Sequence, residues 1–349
     1  MLVPLPSLDP MRASPTAVWE TAPQPERWDL EEWCDPLFSD FGTYGETWAV
    51  AVAHRGRLVY SRYDGRLPGW GSPGQVVGPE TGLLSWSTAK SVLHALVGRL
   101  VASGRLRLDQ PPGVPGWGEP DDPRRLITLD HLLTMRDGLD FVEDYDPDGN
   151  GRSDVIKMLF GGVEDMAAFA ADRGVVADPG TRYNYSSGTS NIVSGVVARL
   201  VGGGPTYQAW MRAELFDLIG MRSAAPEFDQ AGTWVASSYL RATATDWLRF
   251  GELYLRNGVW DGRALLPPGW VDHARTARSA DPDGGFHGAH WWTDDDNLGT
   301  FWAEGYEGQF IIVCPTTETV IVRFGRTGSS GSVLAPWRRD LVQAMADRL

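Results

Sequence analysis

A serine and a lysine three residues apart form the first candidate for chemistry in this chain. The stretch "SWSTAKS" (residues 85–91) contains Ser87 and Lys90, one of only two lysines in the 349-residue sequence. Residues at this spacing share one face of a helix, so the amine can reach the hydroxyl. Free backbone N–H groups in a first helical turn also favour developing negative charge. The pattern predicts a nucleophilic serine with a base beside it.

The same pattern has a plainer interpretation, a helix-capping serine next to a solvated lysine, so partners are needed. One candidate is Tyr185 in "PGTRYNYSSGTSN" (179–191), which follows a Pro-Gly turn and precedes an apolar helix. A tyrosine there would act as a general base if a nearby cation stabilised its phenolate. Taken alone, Tyr185 is more typical of a partly buried aromatic residue whose hydroxyl is hydrogen-bonded.

A glycine-flanked turn supplies the third candidate. In "AEGYEGQFIIVC" (303–314) the turn leads into a strongly apolar strand. Glycine allows a ligand to approach the backbone closely, so Gly308 and the N–H of Gln309 are predicted to line an oxyanion site. An ordinary strand entry is the alternative.

These residues must be positioned by elements from both ends of the chain. The periodicity predicts β-hairpins at residues 47–63 and 309–325 and helices over 87–104, 128–138, 153–162, 191–204, 243–258 and 334–349, with Thr245 or Asp246 as cap of the fifth helix. Strands at both ends and helices between them predict an α/β domain made of residues 1–104 and 236–349. A mainly helical domain, residues 105–235, would be inserted into it.

The order of the motifs resembles that of the serine β-lactamase-like hydrolases, which include class C β-lactamases, family VIII esterases, D-aminopeptidases and 6-aminohexanoate-dimer hydrolases. S-x-x-K is followed by Y-x-S and then by a glycine-rich strand, and similar blocks extend over residues 45–349. The forms "YNYSSGTSN" and "GYEGQ" look most like the 6-aminohexanoate-dimer hydrolases. The resemblance implies a penicillin-binding-protein-like fold, with an antiparallel sheet flanked by helices and an inserted all-helical domain.

The resemblance also implies a role for each matching residue. Ser87 would be the acylated nucleophile, Lys90 would hold the proton network, and Tyr185 would shuttle the proton to the leaving group. The backbone N–H groups of Ser87 and Gln309 would form the oxyanion hole. The other residues expected around the substrate are Gly308, Ser187, Tyr306 and Glu307.

Two positions depart from the family pattern. Ser187 stands where class C β-lactamases carry asparagine, and the triplet Tyr306-Glu307-Gly308 replaces K-T-G. The cation that would meet the carboxylate of an antibiotic is therefore missing. This favours esters or amides without that carboxylate, and Glu307 is a candidate to receive a cationic end of the substrate.

Composition and the remaining motifs exclude several classes. A net charge of −14 argues against nucleic-acid and membrane partners. Without a secretory leader or a long apolar run, the sequence predicts a cytoplasmic protein. Cys34 and Cys314 are expected to be reduced, buried thiols. The acidic stretch 144–154 lacks the last ligand of a calcium loop, and His287 and His290 beside residues 294–297 are expected on a solvent-facing loop rather than at a metal.

The sequence therefore predicts a serine hydrolase that cleaves a small amide or ester through an acyl-Ser87 intermediate, with no metal or cofactor. The alternatives are β-lactamase or D-aminopeptidase activity, an acyltransferase on the same scaffold, and a non-catalytic binding protein. The oligomeric state, a homodimer included, is left open.

Overall fold

The fold was analysed in a computed structural model that describes residues 2–7, 13–69, 74–145, 151–281, 285–327 and 333–349. Its helices are α1 Leu30–Ser39, α2 Phe41–Tyr44, α3 Ala89–Ala102, α4 Leu129–Leu133, α5 Asp154–Phe160, α6 Met166–Ala171, α7 Ser187–Val201, α8 Pro205–Met211, α9 Asp217–Ile219, α10 Ala244–Leu255, α11 Trp270–Arg275 and α12 Leu334–Asp347. Its strands are β1 Glu46–His54, β2 Arg57–Tyr63, β3 Leu83–Leu84, β4 Ala225–Pro226, β5 Leu240–Ala242, β6 Val259–Trp260, β7 Arg263–Ala264, β8 Ser279–Ala280, β9 Phe286–His287, β10 Trp292–Thr293, β11 Phe301–Gly305, β12 Gln309–Cys314 and β13 Thr319–Arg326.

The main sheet joins the two ends of the chain. Within the described residues its strand order is β2-β1-β13-β12-β11-β10-β9-β8, and neighbouring strands are antiparallel. Both predicted hairpins are present, β1–β2 and β12–β13, and the pairing of β1 with β13 links them. The predicted antiparallel sheet with flanking helices is confirmed, whereas the assignment of residues 105–235 to a separate domain stays a prediction.

Helices cover both faces of this sheet. In β1, Val50 and Val52 belong to the core cluster formed with α1 and α12, whereas Ala51 faces the cluster that contains α3 and α10. The small residues of β1 leave room for the close approach of α10. A Cβ on Gly251 of that helix would lie 2.4 Å from Val320 Cγ1, so this contact requires glycine.

The start of α10 differs from the prediction. Its N-cap is Thr243, whose side chain accepts a hydrogen bond from Asp246 N at 3.3 Å. Neither Thr245 nor Asp246 is the cap, because both lie within the helical turn. The N-cap of α5 is Ser153, the first residue of the predicted helix 153–162, which accepts a hydrogen bond from Ile156 N.

The helix behind the candidate serine is almost fully buried. A short 3₁₀ turn, Trp86–Thr88, precedes α3. The short strand β3 leads into that turn and pairs with β5, which runs directly into α10. Ser87 is thus held where the small sheet meets the large one.

Several predictions from the sequence concern metal sites, membrane spans and cysteines. Asp146, Asp148 and Asn150 of the calcium-like stretch lie outside the described residues. Across the described ranges, no group of three or more His, Cys, Asp or Glu side chains is arranged to hold a metal ion. No helix in these ranges combines the length and apolar composition that a bilayer crossing requires. Cys34 and Cys314 are both buried free thiols.

Candidate active site

Ser87 lies on a turn whose backbone is strained. Trp86, the residue before it, has a φ of +45°, in the left-handed region that bulky residues rarely adopt. The Trp86 ring packs edge-on against Tyr306, with centroids 5.7 Å apart, and is tilted against Tyr239 at 6.2 Å. Such conformations cost about 1–3 kcal/mol and concentrate at functional sites.

Lys90 is buried beneath Ser87, and its amine makes three hydrogen bonds. Nζ donates to Ser87 Oγ at 2.8 Å, Ser187 Oγ at 3.1 Å and the carbonyl oxygen of Ser237 at 3.0 Å. Burial lowers the pKa of Lys90 to about 8, and the charge of Glu143 partly offsets this effect. Near neutral pH, a fraction of the lysine is therefore an uncharged amine beside the serine hydroxyl.

Tyr185 approaches the same serine from the other side. Its phenol lies close enough to Ser87 for the serine side chain to lower the pKa of the phenol. Lys90 Nζ lies 4.9 Å from the centre of its ring, and the ring stacks on Trp292 at 5.5 Å. Burial and the charge of Glu143 raise the pKa of Tyr185, and the Ser87 side chain opposes them only in part. Burial thus favours the neutral phenol, and the expectation that Lys90 stabilises a phenolate stays a prediction.

Glu143, on the loop before α5, joins this network through Ser187. Glu143 Oε1 accepts from Ser187 Oγ at 2.6 Å, and Oε2 accepts from Ser187 N at 2.7 Å. The Tyr145 hydroxyl also donates to Oε1, at 3.1 Å. The Tyr145 ring stacks on Tyr306 at 5.1 Å. A continuous chain of hydrogen bonds thus runs from the serine hydroxyl through lysine and serine to a carboxylate.

The predicted oxyanion residue Gln309 is the first residue of β12. Its side chain is buried and exchanges two hydrogen bonds with the Gly325 backbone, at 2.7 and 3.0 Å. A residue of this hairpin that packs against Ser87 is Gly305. A Cβ there would lie 2.3 Å from Ser85 O and 3.1 Å from Ser87 N, so the close approach requires glycine.

A buried arginine supports the turn from below. Arg323, on β13, is fully buried and donates to the carbonyl oxygens of Glu307 and Gly308 at 2.9 and 3.0 Å. Its other side binds Thr47 Oγ1 at 2.9 and 3.1 Å. Burial lowers the pKa of Arg323 to about 9, against the raising effect of Glu307. The guanidinium therefore ties the turn to β1.

The three residues that replace K-T-G all line the cleft. Tyr306 is 41% exposed and forms part of its aromatic wall. Glu307 Oε1 lies 3.4 Å from Arg326 Nε, so its carboxylate has a cation of the protein beside it. Gly308 has a φ of +80°, and a Cβ there would lie 2.3 Å from Leu334 Cδ1, so this position also requires glycine.

Ser87 opens into a cleft of about 1080 Å³. Aromatic and acidic side chains dominate its lining, together with a few arginines. The aromatic residues are Phe141, Tyr145, Tyr183, Tyr185, Trp292, Trp302 and Tyr306; the acidic ones are Asp140, Glu143, Asp144, Asp281, Asp294, Glu304 and Glu307; the basic ones are Arg182, Arg338 and Arg339. The cleft is large enough for a small organic substrate.

Residues 44–344 match the Beta-lactamase family. The chain belongs to the β-lactamase family. A related sequence, the 6-aminohexanoate-dimer hydrolase of Paenarthrobacter ureafaciens, is 29% identical over 268 residues, which are 70% of this chain. The match spans 66% of that relative, just under two thirds of its length.

Solved structures of the β-lactamase family have the same fold. A Bacillus anthracis protein provisionally described as a 6-aminohexanoate-dimer hydrolase superposes with a TM-score of 0.75 and 21% identity, covering 96% of this chain and 90% of that one. The octameric penicillin-binding protein homologue from Pyrococcus abyssi superposes with a TM-score of 0.67 and 18% identity, covering 90% of this chain and 76% of that one. EstCE1, described as a hydrolase with promiscuous acyltransferase activity, superposes with a TM-score of 0.68 and 16% identity. The superposition covers 91% of this chain and 98% of that one.

Two histidines of this β-lactamase-family chain lie deeper than expected. His287 and His290 are only 1% and 3% exposed, so the prediction of a solvent-facing loop is wrong. His287 belongs to β9, and its ring contacts the Tyr185 ring edge-on at 6.0 Å. Burial, and then the charge of Lys90, lowers the pKa of His287 to about 3. Both rings pack as neutral groups behind the site.

Sequence reasoning missed Glu143, Gly305 and Arg323. Arg323 could have been found from the sequence, because a charged residue inside the apolar strand "TVIVRFG" must either be buried with hydrogen-bond partners or end the strand. Glu143 could not, since its position depends on the path of an irregular loop. Gly305 lies in the quoted turn, but only the packing against Ser87 distinguishes it from the neighbouring glycine.

Proposed function

We propose that the protein is a serine hydrolase that cleaves a small amide or ester through an acyl-Ser87 intermediate. The observation that carries the proposal is the 2.8 Å contact between Lys90 Nζ and Ser87 Oγ, made by an amine whose pKa is lowered to about 8. A nucleophilic serine needs a base within hydrogen-bond reach, and a pKa close to neutral suits that base. Tyr185, whose pKa is influenced by the same serine, supplies a neutral acid.

The acylation step follows from these positions. Uncharged Lys90 takes the hydroxyl proton while Ser87 Oγ forms a bond to the substrate carbonyl carbon. Tyr185 gives its proton to the leaving nitrogen or oxygen as that bond breaks, and the phenol is restored by the proton held on Lys90. Water then attacks the acyl carbon by the reverse route, which regenerates Ser87 and releases the acid.

The oxyanion would be stabilised by backbone N–H groups. One belongs to Ser87, and we assign the other to Tyr306 rather than Gln309. Tyr306 directly follows Gly305, the residue whose backbone packs against Ser87. Two donors aimed at the developing charge are the usual requirement for acyl transfer.

A linear amide or ester is favoured over a β-lactam as substrate. The related sequence named as a 6-aminohexanoate-dimer hydrolase supports an amide. The site of the K-T-G lysine carries Tyr306, and Glu307 beside it would repel a substrate carboxylate. We expect turnover of short p-nitrophenyl esters or of linear aminohexanoate dimer, and little turnover of nitrocefin. Rapid nitrocefin hydrolysis would contradict this preference.

Fluorophosphonate labelling followed by peptide mass spectrometry tests the nucleophile. The probe should modify Ser87 in the wild-type protein, and Ser87→Ala should lose both labelling and turnover. Ser91→Ala is a matched control on α3, because Ser91 Oγ is buried and bonded to His290 O. If Ser87 stays unmodified while the folded protein still hydrolyses an ester, the proposed function is wrong.

Acyl transfer is the second candidate function. It is supported by the printed description of EstCE1, a neighbour in fold. In it, an alcohol or amine would replace water as acceptor from acyl-Ser87. Product analysis with a competing alcohol separates the two, since transfer yields the new ester. Absence of any turnover across the ester and amide panel would instead favour a non-catalytic binding protein.

A further inference from the structure

We propose that Glu143 is the counter-charge of Lys90 and acts through Ser187 to set the position and protonation balance of the amine. This role rests on the proposed function, in which Lys90 takes the proton of Ser87. Glu143 is a positioning residue, because its carboxylate reaches the reacting atoms only through other side chains.

The need for a counter-charge follows from the burial of Lys90. The lysine is 2% exposed, and its three acceptors, two serine hydroxyls and a carbonyl oxygen, are all uncharged. Buried cations are normally balanced by an anion, because removal from water is costly. Glu143 is one hydroxyl away, and its charge raises the pKa of the amine.

The carboxylate is held in a fixed orientation. Ser187 binds both of its oxygens, through its N–H at 2.7 Å and its hydroxyl at 2.6 Å. A hydroxyl has one proton, so donation to Glu143 leaves Ser187 Oγ as an acceptor toward Lys90. Lys90 therefore donates on both sides, to Ser87 Oγ and to Ser187 Oγ, and Ser187 in turn donates to Glu143.

The other titratable groups around the amine do not replace this charge. Tyr185 contacts Lys90 through its ring, and burial raises the pKa of its phenol. His287 and His290, behind the amine, are buried and have lowered pKa values. The Tyr145 hydroxyl donates to Glu143, and burial raises its pKa as well. Each of these groups is uncharged near neutral pH.

The test is the pH dependence of Ser87 labelling by a fluorophosphonate, which needs no natural substrate. The wild-type rate should rise with pH as Lys90 loses its proton. In Glu143→Gln the amine loses its counter-charge, so the midpoint should move about one pH unit lower, and the maximal rate should fall at least about tenfold. Glu143→Asp keeps the negative charge, but its shorter side chain cannot reach Ser187 in the same way. The labelling rate of this variant should therefore fall, while the midpoint of its pH profile stays in place.

Two further variants keep the result interpretable. Glu304→Gln removes another carboxylate of the cleft and should leave the midpoint in place. Ser187→Ala breaks the same chain and should lower the midpoint even if Glu143→Gln does not fold. The proposal is wrong if the profiles of Glu143→Gln and Ser187→Ala match the wild type after scaling of the rates. Failure of the proposed function looks different, because wild-type Ser87 would then not be labelled at all.

Discussion

The guanidinium of Arg323 lies under the carbonyl oxygen of Gly308, at a distance of 3.0 Å, and also binds that of Glu307 at 2.9 Å. These carbonyls belong to the turn that follows Gly305, whose backbone packs against Ser87. By holding the carbonyls on the side of β1, Arg323 fixes the orientation of the turn that faces the nucleophile. The planar guanidinium of arginine, with its several N–H donors, suits this task better than the ammonium group of lysine does.

Arg323→Lys should lower the acylation rate. Lysine keeps the charge but cannot bind both sides of the turn, so the oxyanion donors lose their alignment. We expect kcat for a p-nitrophenyl ester to fall roughly 10- to 100-fold with a smaller change in KM. Affinity for a boronic acid, which forms a tetrahedral adduct, should fall in parallel. Arg241→Lys, a surface control paired with Glu227, should match the wild type. An unchanged kcat with a lower melting temperature would leave Arg323 a purely structural residue.

Gly305→Ala should separate activity from stability. The added methyl group would meet Ser85 O at 2.3 Å, so the end of β11 must move away from Ser87. We expect loss of turnover of about 100-fold or more, as when an oxyanion donor is removed, while the protein remains folded by circular dichroism. Gly82→Ala is the matched control, because its Cβ would meet only Arg241 Cβ at 3.6 Å. Equal activity of the two variants would show that Gly305 does not contribute to the active site.

The parts of the fold that sequence could predict are those with local periodicity. Alternation in β1, the apolar run of β13 and helical spacing in α3 predict these elements because their neighbours in sequence are also neighbours in space. Strands β8, β9 and β10 have only two residues each, too few for a pattern. Ser87 and Lys90 are predictable because one helix turn joins them. Glu143 reaches Ser187 across 44 residues of chain, and only the folded loop brings them together.

The pH dependence of stability should contain a contribution from Asp137. This carboxyl is buried and accepts from Thr189 Oγ1 at 2.6 Å and Leu139 N at 2.8 Å. Burial raises its pKa from 3.8 to about 6. Because the folded-state value is the higher one, the stabilisation is complete below the unfolded pKa and is lost as pH rises through about 6. The difference amounts to up to about 3 kcal/mol.

Asp137→Asn should flatten this part of the stability profile. The amide cannot ionise, so the variant should gain stability relative to the wild type between pH 4 and pH 7. Urea unfolding at several pH values measures this gain, and Asp109→Asn, a surface carboxyl paired with Arg107, serves as the control. A constant difference between wild type and Asp137→Asn across that range would contradict the assignment.

Tyr185→Phe should lower the rate without moving its pH dependence. In the proposed mechanism the phenol donates a proton to the leaving group, so its removal should reduce kcat for an amide by about 100-fold or more. An activated ester, whose leaving group needs little protonation, should lose less. Because burial raises the pKa of Tyr185 and brings that of Lys90 to about 8, the rise in rate with pH belongs to the lysine. The midpoint of the profile should therefore stay in place, as measured by labelling of Ser87 from pH 5 to pH 10. Disappearance of the rising limb in Tyr185→Phe would instead identify the phenol as the group that must lose its proton.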